Sequence, residues 1–274
     1  MTISIPKRTR TVSFPGGVPT VIVQGERRRV SVLLGDGDSN VKTAKNAPHA
    51  MSVGLSLAAH KSAGAGNVCP HAASCATSCL DDTGMGAIFK HIKAQRIAKT
   101  VFFQRDRSLF LEMLRNELRA KQAIAEKRGK LLAVRLNMFS DIAWERYDIH
   151  QAFPNIQFYD YTKHPKRAGQ ICSNYWVTFS RDETNDAAAV AHLEAGNNVA
   201  ICFYTPGKYV GNRSKLQTLP KTWKGFRVID GDITDARWTD PRGVVVGLKL
   251  KAANNAARQR AIDSGFAVRT MGVN

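Results

Sequence analysis

Cys69, Cys75 and Cys79 place three of the chain's five cysteines within one short loop, in the spacing Cys-x5-Cys-x3-Cys. Thiolates are soft ligands, and three on one loop can close on a single metal ion or on three corners of an iron–sulfur cluster. A four-iron four-sulfur cluster needs only these three if its fourth iron is left open for a ligand. A zinc site needs a fourth donor, and His71 and His91 are nearest in sequence. The spacing differs from the zinc fingers, which join two close cysteines to a second distant pair. Two further readings stand beside the metal. A disulfide would leave one cysteine over, and the interspersed Ala and Ser allow a tight loop with thiols packed as small hydrophobes.

A second set of reactive types follows short apolar runs. Leu131–Asn137 ends in Asn137, Ser140 and Asp141. Ile156–Tyr159 ends in Asp160, Thr162 and Lys163, and Tyr175–Phe179 in Ser180 and Glu183. Later, Phe226–Ile229 ends in Asp230 and Asp232, and Val244–Leu248 in Lys249. Asp141, Asp160, Lys163 and Glu183 are the candidates for proton transfer or nucleophilic attack. Asn137, Ser140, Thr162, Ser180, Asp230 and Lys249 are candidates for holding a substrate or cofactor. Each alone also fits a helix cap, a first-turn charge or a turn former.

These residues must be positioned by the elements between them. Short β-branched or aromatic runs alternating with short helical segments, across 131–250, mean a parallel sheet. Six or seven such units favour an α/β fold, a parallel (β/α) barrel or a partial TIM-type barrel, whose strand-end loops would form the site. The helical segments are expected around 141–153, 166–172 and 186–195. Ahead of them, 87–128 shows helical periodicity through Ile88, Ile92, Ile97 and Val101, then Leu109, Leu111, Leu114, Leu118 and Ile124. His91, Lys93, Arg96, Lys99, Arg115, Arg119, Lys121 and Lys127 mark a polar face, either solvated or laid on nucleic acid. Met51–Ala58 is a strand leading into the cysteine loop, 59–86, which closes on Gly84 and Gly86. Residues 1–34 hold two β-branched runs, Thr20–Val23 and Val30–Leu34, read as an N-terminal hairpin or two edge strands. Gly35 to Lys45 has the glycines and the Lys42 of a phosphate loop but lacks the Gly-Lys-Ser/Thr order, so an ordinary polar turn is the other reading. Cys172 and Cys202 read as structural, and 254–274 as a last helix and an edge segment. The whole, 1–274, reads as a single domain.

With 40 Lys and Arg against 22 Asp and Glu, formal net charge is +18. Such an excess points to a polyanion partner, first of all nucleic acid. No apolar run reaches a membrane span, and no apolar signal core follows the basic start. A cytoplasmic protein with reduced thiols is expected, which favours metal over disulfide. A non-catalytic, basic nucleic-acid-binding protein with a structural zinc staple shares these features.

The segments Leu136–Asp141, Phe158–Arg167 and Tyr175–Ser180, with the cysteine loop before them, resemble the phage and bacterial "gene product 88" domain family over roughly residues 30 to 250. That resemblance implies a viral or prophage setting and, for a phage protein, the host cytoplasm. The same order is also similar to radical S-adenosylmethionine (SAM) enzymes, which carry three cluster cysteines after the first strand of a partial barrel. It implies a 4Fe–4S cluster on Cys69, Cys75 and Cys79 that binds SAM. The usual spacing there is Cys-x3-Cys-x2-Cys, and Leu136-Asn137-Met138 stands where Gly-Gly-Glu would follow the second strand. A related phage family has Asn-x-x-Ser-Asp and Leu-Thr-Lys-Arg-Pro strand ends, which Asn137–Asp141 and Tyr161–Pro165 resemble. Guanine-exchanging transglycosylases, including those that place 7-deazaguanines in DNA, also combine a (β/α) barrel, strand-end aspartates and a zinc site. That likeness implies a sugar-attacking carboxylate among Asp141, Asp160 and Asp230, with zinc in a structural role. The cysteines of those enzymes are more tightly spaced and lie late in the chain.

Overall fold

A computed structural model describes residues 17–37, 43–46, 50–79, 89–207, 217–252 and 254–270. Lys42, Gly84, Gly86 and Ile88, singled out above, lie outside them. The chain opens with a hairpin, β1 (Thr20–Val23) against β2 (Glu26–Arg29). The basic segment itself, and not Val30–Leu34, makes the second strand. Gln24 and Gly25 take left-handed backbone at the turn, and Val30 then plunges into the core.

One mixed sheet carries everything else. β3 (Leu34–Asp36) runs antiparallel to β4 (Met51–Leu55). Seven strands are then mutually parallel in the spatial order β4, β5 (Leu132–Arg135), β6 (Ile156–Thr162), β8 (Tyr175–Ser180), β9 (Val199–Tyr204), β12 (Val245–Lys249) and β11 (Phe226–Asp230). β10 (Thr222–Trp223) adds antiparallel to β11, and β13 (Val268–Arg269) pairs with β9. The stretch 166–172, expected to be helical, instead forms β7 (Gly169–Cys172), which hairpins onto β8. Its Gly169 has φ +88 and lies so close to Asn197 that a Cβ would meet the amide oxygen at 2.3 Å.

Two long helices, α1 (Lys90–Arg105) and α2 (Arg107–Lys127), cover one face of the β4–β6 region. They are separated at Asp106, whose amide closes α1 on Phe102 and whose carboxylate caps α2 at Leu109. The buried stripe of α2 runs through Phe110, Leu114, Glu117, Leu118, Lys121 and Ala125, leaving Ile124 at the surface. α3 (Asp186–Glu194) packs on β8 and β9, and α4 (Asn255–Asp263) follows β12.

Strand parity divides the sheet's two faces. Phe158 and Tyr175 pack in the core beneath the long helices, whereas Ala133, Tyr159 and Trp176 form a separate cluster with Trp238. That second face is sealed by the segment following β11. Asp235 pairs with Arg135 of β5 at 3.1 Å and accepts hydrogen bonds from Tyr159 and Tyr161 of β6. A flat sheet would hold β4 and β12 five spacings apart, about 24 Å at ~4.8 Å per strand. Yet α4, after β12, packs on the 3-10 turn Ala73–Ser78 that follows β4. Lys45, before β4, likewise bonds the Asp232 carbonyl after β11. The sheet therefore curls, although its hydrogen-bonded path still ends at β10 and β3.

Candidate functional site

Curling brings the carboxyl ends of the parallel strands round one cavity of about 450 Å³. Cys69, Cys75 and Cys79 all line it, together with His60 and His71. The loop is built under local strain: His60 and Ala73 hold φ of 52 and 35, left-handed backbone that non-glycine residues rarely adopt. The His60 amide donates to Cys69 Sγ at 3.3 Å, and the thiol donates to the Phe139 carbonyl at 3.3 Å. The Asp141 amide donates to the Val68 carbonyl at 2.8 Å, so the cysteine loop and the loop after β5 are stitched together. Burial drives the Cys69 thiol up to about 12, with Cys79, Asp141 and Cys75 adding repulsion against its thiolate. Burial raises Cys75 too, opposed by the Lys163 ammonium.

Asn137 organises the loop after β5. Its side-chain oxygen accepts from Ser140 Oγ, the Ile142 amide and Trp144 Nε1, and its Nδ2 donates to the Ile142 carbonyl at 2.9 Å. Close passage of this loop over β4 depends on Gly54, where a Cβ would stand 2.9 Å from the Met138 side chain. Asp141 then reaches to the next strand end. It accepts from Thr162 Oγ1 at 2.7 Å, the Lys163 amide at 2.8 Å and Arg167 at 3.2 Å. Lys163 turns inward, its ammonium 3.3 Å from Asp182, within 3.5 Å of the Ser180 and Arg181 carbonyls and over the Phe266 ring.

Of the residues expected from the sequence, Asn137, Ser140, Asp141, Thr162, Lys163, Ser180 and Lys249 line the cavity with the three cysteines. Asp160, Glu183 and Asp230 are not among its lining. Asp160 is on the helix-side face, 1% exposed, where it accepts from the Asn137 amide at 2.7 Å and Tyr175 at 3.0 Å. Burial pushes its carboxyl up to about 7. Glu183 lies near Gly265, with its Cβ 3.5 Å from where a Cβ on that glycine would be, and bears on Cys75 through its charge. Asp230 pairs with Lys249 at 2.7 Å. Of the two possible fourth zinc donors, His71 lines the cavity and stacks edge-on against His164, while His91 sits beside Phe89 on α1 and is not in the lining.

Several lining residues carried little sequence signal. Arg135 is one charge within an apolar strand, which hints at an internal partner. Asp235, Lys251 and Phe266 had no distinguishing context, and Cys202 read as core. Much of the expected basic helix face is also spent internally. Lys99 donates to the Leu33 carbonyl, Lys121 pairs with Asp36, Arg115 donates to Tyr147, and Arg96 lies over the Phe139 ring.

Three soft sulfurs fall on one loop and line one cavity, the donor type a thiophilic metal centre uses. Among the described residues, no three His, Cys, Asp or Glu side chains already stand in a metal-holding arrangement. No helix among them is long and apolar enough to cross a membrane. A family model described as Gene product 88 matches residues 32–270. No curated protein matches the chain, and no solved structure does.

Proposed function

Because the chain belongs to the Gene product 88 family, and its three clustered cysteines open on the same cavity as Asp141 and Lys163, we propose that it is an enzyme of partial (β/α)-barrel type with an iron–sulfur or other thiolate-held metal centre. Its substrate is a nucleic acid or a nucleotide-derived molecule. Convergence of the three cysteines on one cavity at the strand ends carries this reading, and the net charge of +18 supports the substrate class.

Cys69, Cys75 and Cys79 would hold the centre, and a cluster with an open iron would supply electron transfer and a binding position for a small ligand such as SAM. The chain's own groups do the positioning. Asn137 and Ser140 fix the loop that backs the cysteines, and Asp141 locks that loop to β6. Lys163, held by Asp182 and lying over Phe266, presents a cation beside Cys75. Phe139 and Phe266 add aromatic surface to the cavity lining.

Anaerobic purification, with iron, zinc and acid-labile sulfide analysis and an absorption spectrum, tests this on the native chain and on Cys75→Ser. Iron with sulfide, lost in the variant, supports a cluster, and SAM cleavage is then assayed. Zinc alone supports the base-exchange or zinc-staple readings, and absence of any metal from anaerobic preparations overturns the metal centre.

A further inference from the structure

The cavity reaches the termini of β11 and β12 at one end. There Lys45, Lys249 and Lys251 gather round Asp232, with Asp230 paired to Lys249. We propose that this end is a phosphate subsite, holding the phosphate of a nucleotide whose base and sugar extend toward the cysteine loop. This rests on the enzyme reading above and names its substrate class.

Charge accounting favours this end over the rest of the cavity. Elsewhere Arg135 is matched by Asp235 and Lys163 by Asp182. Among the described residues, three lysines here face two carboxylates, an excess of one positive charge. Asp232 gathers them. Its carboxylate bonds the Lys251 ammonium and the Lys249 amide, and its carbonyl accepts from Lys45. Burial opposes ionisation of Asp232, yet the Lys251 ammonium, the Lys249 backbone amide and the charge of Lys45 hold its carboxyl below the usual range. Asp230 and Asp232 together leave one of the three lysine charges unneutralised, so an anion can join the group without first breaking the arrangement.

Geometry adds access and fit. Lys251 keeps 43% of its side chain exposed, and Lys45 is open to solvent. The turn is kept tight by Gly231, where a Cβ would meet Val246 at 2.4 Å. Leu250, Ala257, Ala261 and Phe266 add apolar surface to the same cavity, as a base and sugar require. The volume of about 450 Å³ falls in the range of small-molecule sites.

Calorimetric titration of the full chain with each nucleoside 5′-diphosphate and with its parent nucleoside tests the proposal. At least one diphosphate should bind about tenfold or more tightly than its nucleoside, and Lys251→Glu and Lys45→Ala should each lower that affinity by a factor on the order of five to ten. Lys45 is exposed, so Lys45→Ala keeps the test valid if Lys251→Glu fails to fold. Equal binding of nucleoside and diphosphate, or unchanged affinity in a folded Lys45→Ala, would overturn the subsite. A single-stranded oligonucleotide that displaces the diphosphate supports it and makes nucleic acid the source. Failure of the oligonucleotide to compete, with the diphosphate bound, supports a free nucleotide. Phosphate binding by protein that takes up no metal would sink the metal centre and leave the subsite standing, and metal without phosphate binding would do the reverse.

Discussion

Asp141 sits where two strand-end loops meet, and its carboxylate has three partners: Thr162, the Lys163 amide and Arg167. That makes it first a brace. Asp141→Ala strips Arg167 of one of two carboxylates, Glu145 being the other, and frees two more donors. A loss of about 2–4 kcal/mol in urea unfolding is expected, with Asp141→Asn costing less because its oxygen still accepts from one donor. Asp160 predicts a pH effect of a different kind. Its carboxyl titrates near 7 when folded, against an ordinary value of 3.8, because burial disfavours the charge. Between those values the folded state holds the extra proton, so this group's contribution to stability is full below about 4 and is lost as pH rises toward 7. The thermal midpoint of the native chain should therefore fall relative to Asp160→Asn across that window. Parallel curves for the two proteins would refute it.

At the scale of elements, the helix α2 holds the sheet's edge through charge. Glu117 accepts from the amides of both Leu33 (2.7 Å) and Leu34 (2.8 Å), leading into β3, and Lys99 of α1 donates to the Leu33 carbonyl. Glu117→Ala should destabilise by about 2–4 kcal/mol, since two buried amides lose a charged acceptor. Hydrogen exchange at Leu33 and Leu34 should accelerate well before exchange in β5 or β6. The joint between the helices is weaker. Asp106→Ala, which removes the cap on Leu109, should cost about 1 kcal/mol by the same denaturation measurement.

For the whole molecule, the net charge of +18 governs association. Binding of a single-stranded oligonucleotide should weaken steeply with salt, with a slope of log affinity on log salt of about −0.7 for each phosphate contacted. Affinity independent of salt would exclude the electrostatic attraction. Arg27 and Arg29 of the exposed hairpin strand remain available for such contacts, whereas Lys99 and Lys121 are engaged inside the protein.

Read alone, the sequence determined where most of the parallel strands fall. Runs such as Val199–Phe203 and Val244–Leu248 are too short and too β-branched for helices, and their alternation with helical segments implies parallel pairing. It also located the cysteine loop, because three of the five cysteines fall within eleven residues. What it could not settle is parity. Asp160 and Tyr161 are adjacent, and period two sends one beneath the helices and the other toward the cavity. A strand buried on both faces shows no alternation from which to choose. The 166–172 stretch was misread for a related reason, since its pairing to β8 is decided by the neighbouring strand and not by its own residues. Tertiary structure alone decided that β12 inserts between β9 and β11, and that Asp235 pairs with Arg135 a hundred residues away. Lys45 likewise meets Asp232 only because the sheet curls. Such contacts depend on strand order and curl, which no local pattern of hydrophobicity encodes.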